Sequence, residues 1–212
     1  ARGESASLGG SSRGIGHRGI FASLQLALAL PLLIGAGLLT RSFLSLVSTP
    51  PGYEPANTAV FDVQFEASRY PDAIGRVALF NRIRESLAAI PGVTQVGIVD
   101  TLPLSGMREV IGFQQVGQTP ITDLNQVPRA LLRRVSPGYF RAMGIPLREG
   151  RVFEDSDHSN PGIVSVVNES LVQRYLSDPP IGLELQGMGQ IIGLVGNVYE
   201  EGVGTPAEPI LY

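Results

Sequence analysis

Glu154, Asp155, Asp157 and His158 bring three carboxylates and an imidazole into one short stretch. Such a set has the groups to bind a divalent cation or to pass protons. Acid–base work also needs a fixed geometry, and adjacent residues on a polar loop do not supply one, so the stretch reads as a solvated loop. Ser105 lies in LPLSGM, which is not the G-x-S-x-G turn of an activated serine. Arg133 and Arg134 are adjacent in an apolar, strand-like run, so their side chains point to opposite faces and cannot share an anion. Tyr139 and Phe140 are expected to pack a helix onto a sheet rather than stack on a ligand. No catalytic, cofactor-binding or metal-ligating residue is assigned on these grounds, and no cofactor is expected.

Composition removes further classes. All 16 basic residues are Arg and Lys is absent, which excludes a P-loop and Schiff-base catalysis. Cys is absent, so there is no disulfide framework and no thiolate ligand or nucleophile. The two His, His17 and His158, form no H-x-x-x-H pair. A net charge of −3 argues against a nucleic-acid partner. Gly9–Gly16, GGSSRGIG, has the look of the glycine loop of short-chain dehydrogenases, which would predict dinucleotide binding. Such a loop must follow a buried strand, and the preceding ARGESASL is not one. The Tyr-x-x-x-Lys pair of those enzymes is also impossible without Lys.

The shortage of charge, 17% of residues, is concentrated near the N-terminus. From Gly19 to Thr40 the chain reads GIFASLQLALALPLLIGAGLLT, without a charged residue. At about 1.5 Å per residue such a run crosses a hydrocarbon core of about 30 Å. A buried core helix is usually shorter and polar on one side, and a signal peptide would have a shorter apolar region and a small-residue cleavage site. Pro31 is tolerated in a membrane helix. Gly35, Ala36 and Gly37 form a small-residue patch where another helix can approach, so Gly35 and Gly37 are expected to serve helix packing. Arg2, Arg13 and Arg18 precede the run and Arg41 alone follows closely, which places the N-terminus in the cytoplasm and the remainder outside the inner membrane. Three regions are expected: a Gly/Ser/Arg linker over 1–19, a transmembrane helix over 20–46, and an extracytoplasmic domain over 47–212. The linker-like start and the apolar stretch at Pro209–Tyr212 read as cuts through a longer chain.

After the turn-rich exit Ser48–Pro55, Thr58–Glu66 alternates as a strand does, with Phe61, Val63 and Phe65 on one face. Tyr70-Pro71-Asp72 opens a helix that Pro91-Gly92 stops, and Val93–Thr101 reads as a second strand, giving a β-α-β unit. Further strands are expected over Val110–Val116, Ala130–Val135, Gly162–Val167 and Ile191–Val198. Ser136 is expected to cap a short helix beginning at Pro137, and Asn168 to cap a helix running to Leu176.

In order, the chain carries LALALPLLIGAGLLTRSFLSL, PGYEPANTAVFDVQF, RYPD, LAAIPGV, LPLSG, RRVSPGYFRAMGIPLREGRVFEDSD, VSVVNESLVQRYL, PIG, IIGLVGNV and EPILY. Together these segments resemble the MacB-type periplasmic core domain of FtsX-like ABC transporter permeases, and more narrowly the duplicated acidobacterial-type permeases. The resemblance runs from about Phe21 to Tyr212, and its most specific part is VSPGYFRAMGIPLREGR followed by VVNESLVQRYL. It implies an α+β architecture: a single N-terminal transmembrane helix followed by a mixed α/β periplasmic core domain with β-α-β units and a β-rich part. It also implies a non-catalytic permease whose ATP hydrolysis resides in a separate cytoplasmic ABC ATPase. Further implied partners are a second permease copy and the lipid bilayer, with export, lipoprotein extraction or mechanotransmission as the work done. The connection Leu183–Gln190 departs from the family pattern in being short, as if a hairpin were trimmed. A membrane-anchored binding or sensor domain without transport is the alternative.

Overall fold

The computed structural model describes residues 13–159, 162–176, 179–202 and 205–212. Two units separate along the chain, Ala1–Thr49 and Pro50–Tyr212.

The first unit is helix α1, Arg13–Ser48, continuous through Pro31. Residues 13–18, expected as linker, are helical. They include the second half of the GGSSRGIG stretch, whose first half lies outside the described residues. Helical backbone over Arg13–Gly16 does not form the open loop that a pyrophosphate would need.

The second unit contains α2 (Ala73–Ala88), β1 (Val110–Gly112), β2 (Arg129–Leu132), α3 (Tyr139–Ala142), β3 (Leu147–Gly150), β4 (Val164–Asn168), α4 (Glu169–Tyr175), β5 (Glu184–Leu185), β6 (Gly189–Val195) and β7 (Ile210–Leu211). Among the described residues the strands form one mixed sheet in the order β1-β2-β7-β4-β6-β3, with β5 paired to β6. Strand β4, helix α4 and strand β6 make a β-α-β unit, because β4 and β6 run parallel. The short Leu183–Gln190 connection keeps a tight hairpin, Glu184 opposite Gln190 and Leu185 opposite Gly189.

Both faces of the sheet are buried, and strand alternation decides which residue serves which face. Leu131, Val166, Ile210 and Tyr212 join Tyr139, Phe140, Met143 and Ile145 in one core. Ala130, Val167 and Leu211 join Leu171, Val172 and Ile191 in the other. Tyr139 and Phe140 are core residues, as expected, and the Phe140 ring meets Tyr212 edge-on at 4.9 Å. Two-residue β7 lies at the sheet centre, parallel to β2 and antiparallel to β4.

Asn168 caps α4 as expected, its Oδ1 accepting from Leu171 N at 3.0 Å. The same oxygen accepts from Ile210 N at 2.9 Å, and Nδ2 donates to Glu208 O at 2.7 Å, so one fully buried amide starts α4 and seats β7. Asp72 is the N-cap of α2, accepting from Gly75 N.

Two expectations fail. Ser136 does not cap α3: its Oγ accepts from Ile98 N at 2.9 Å, and Gly138, at φ 93°, takes the cap position without a side-chain bond. A distant backbone donor outcompetes the local one, and glycine supplies the left-handed turn. Thr58–Glu66 and Val93–Thr101 form no ladder; a single bridge joins Val99 to Val135. The β-α-β unit expected around α2 is therefore not formed, because an extended segment becomes a strand only by exchanging backbone hydrogen bonds with a neighbour. No backbone–backbone bond joins residues 59–65 to any described residue.

Candidate functional site

The first functional feature is α1 itself. Gly19–Ser48 is long and apolar enough to cross a membrane, with a mean hydropathy of 2.0 over its most apolar window. Leu26, Leu32, Leu33 and Leu39 are all exposed by 70% or more. A water-soluble unit would cover such a helix; hydrocarbon is the solvent that suits it. Each Leu, Ile or Phe near a bilayer centre contributes about 0.3–0.6 kcal/mol, whereas one Arg there costs about 2.5–3.5 kcal/mol. The run reaches Arg41 before it meets a charge. Thr40 satisfies its hydroxyl within the helix, donating to Ala36 O at 2.9 Å. At Gly35 and Gly37 an added Cβ would meet no atom within 4 Å, so both positions face open space in the single chain.

The second feature is an ionic network at the rim of the sheet. The loop Leu102–Arg108 and residues Glu200–Glu201 enclose a cavity of about 280 Å³ lined by Leu104, Gly106, Met107, Arg108, Glu200 and Glu201. Leu104 has a positive φ of 64°, costly for a branched side chain, and its N–H donates to Glu200 O at 3.2 Å. Behind this wall Arg133 is almost fully buried and donates to Glu200 Oε2 at 2.8 Å; the Glu200 side chain is largely buried as well. Arg133 also donates to the carbonyls of Leu132 and Met107. Its Nε has no hydrogen-bond partner among the described residues. Arg108 bridges Glu201 and Glu208, and its guanidinium is held above its ordinary pKa chiefly by the bond to Glu208. Arg134 points the other way, as strand alternation predicts, and takes Glu109 in a fork of two 2.7 Å bonds, with Asp100 at 3.2 Å. That fork raises the Arg134 pKa and lowers that of Glu109. Burial pushes the Tyr139 and Tyr212 hydroxyls up, so both stay neutral.

Chemically the network is a clamp. Each of its five carboxylates is paired with one of three guanidiniums, and Arg does not give up a proton in proteins, so it joins the 102–109 loop, the residues that follow β2, and Glu200, Glu201 and Glu208. The Arg133-Arg134 and Glu200-Glu201 doublets are visible in the sequence, but their pairing across 67 positions is not. Ser105 lies on the loop and accepts weakly from Met107 N at 3.4 Å.

The acidic loop is spread among structural partners. Asp157 takes Arg151 through two 2.7 Å bonds and accepts from Glu154 N, while Asp155 pairs with Arg84 at 2.8 Å. The side chain of His158 lies outside the described residues.

No family model matches the chain, and no curated protein matches it. Among solved structures, the chain is similar to the extracellular domain of the noncanonical ABC-type transporter YknZ from Gram-positive bacteria. That similarity has 14% identity and a TM-score of 0.40, covering 62% of this chain and 59% of that one. It is also similar to the periplasmic region of MacB from Actinobacillus actinomycetemcomitans, at 17% identity and a TM-score of 0.39, covering 62% of this chain and 53% of that one. The matched part thus spans little more than half the length of either solved domain.

Proposed function

We propose that the chain is part of a permease of the MacB/FtsX type. In this reading α1 anchors it in the inner membrane, and the unit that follows works outside the cytoplasm. The observation that carries the reading is a long apolar helix, Gly19–Ser48, that has no charge before Arg41 and no buried residue in its most apolar window, followed directly in the chain by an α+β unit beginning at Pro50. The motif string adds the permease class: RRVSPGYFRAMGIPLREGR contains α3 and β3, and VVNESLVQRYL contains the last three residues of β4 and all of α4. The arginines ahead of the helix support a cytoplasmic N-terminus. ATP hydrolysis then belongs to a separate cytoplasmic ATPase, and α1 transmits the resulting motion to the outer unit, for export, lipoprotein extraction or mechanotransmission. A second permease copy packs against α1 at Gly35 and Gly37.

The test begins with topology. Alkaline phosphatase fused after Tyr212 is expected to be active and a green fluorescent protein fused there dark, with the chain in the membrane fraction. The opposite pattern overturns the reading. Leu32→Arg near the middle of the run is expected to cut the membrane-inserted fraction sharply, since one central Arg offsets several leucines. Coupling is tested by purifying the full-length protein from membranes and assaying the co-purifying material for ATPase activity; an anchored sensor brings none.

A further inference from the structure

No further inference is drawn: the strongest candidate, the exposed apolar face of the extended segment 59–65 beside α2, where Phe61 and Val63 lie open, carries nothing because nothing in the structure shows what covers it.

Discussion

Residues 58–66 and 162–168 begin from similar material. Both are short runs in which apolar residues recur at strand spacing, and each runs close ahead of a helix. Their outcomes diverge. Val166 and Val167 are fully buried between paired strands, whereas Phe61 is 72% exposed on a segment with no ladder. Propensity is not the difference, since Val and Phe both favour strands. The difference is the neighbour: β4 has β6 on one side and β7 on the other, while 59–65 has no described strand beside it. A hydrophobic pattern therefore states which face would be buried, and a partner decides whether it is.

Substitutions that separate these regions follow, from the largest expected effect to the smallest. Breaking the buried pair with Arg133→Met leaves Glu200 without its hydrogen-bonded guanidinium, at a cost of about 3–5 kcal/mol, whereas the double variant Arg133→Met with Glu200→Leu should recover most of that loss. Urea unfolding followed by tyrosine fluorescence measures both; equal losses in the single and double variants would show that the pair is not what matters. Leu171→Ala in the buried sheet region should cost about 2–5 kcal/mol, and Phe61→Ala no more than about 0.5 kcal/mol. A large loss at Phe61 would mean that the segment is covered after all. Asn168→Ala removes a cap and strands the N–H groups of Leu171 and Ile210, so a loss of about 2–3 kcal/mol is expected. Hydrogen exchange should then quicken first at β7, and uniform quickening would contradict a local role in seating it.

The smallest effect is in the acid range. The Arg134 fork lowers the folded-state pKa of Glu109 below its ordinary value near 4.5. The stabilisation is present above that ordinary value and is lost as pH falls through the lowered one. Arg134→Gln should therefore lower stability slightly throughout the range above about pH 4.5, pH 6 to 8 included, and flatten a small part of the decline below it, so that the variant and the parent converge in acid. An unchanged acid limb would remove the fork from the account. Glu109 is solvent-exposed, which keeps the effect small.

How much was legible follows the range of each interaction. The caps at Asp72 and Asn168 bond three residues ahead, so their spacing could be read directly. Ser136 had the same credentials but bonds Ile98, 38 positions away. The opposite facing of Arg133 and Arg134 followed from strand alternation, but the burial of Arg133 did not, because Glu200 reaches it only through the fold. The specific motif string was recognisable for a related reason. Tyr139, Phe140, Val166, Val167, Asn168 and Leu171 are all buried, so it records a core.

Sequence alone determined the uncharged run of α1, the starts of α2 and α4, and the opposite facing of Arg133 and Arg134 after β2, since each rests on residues within a few positions of one another. Tertiary structure alone decided that β7 enters the sheet between β2 and β4, that Arg133 is buried against Glu200, and that 59–65 remains extended without becoming a strand. Those outcomes depend on contacts between distant parts of the chain, and no local pattern specifies which partner will arrive.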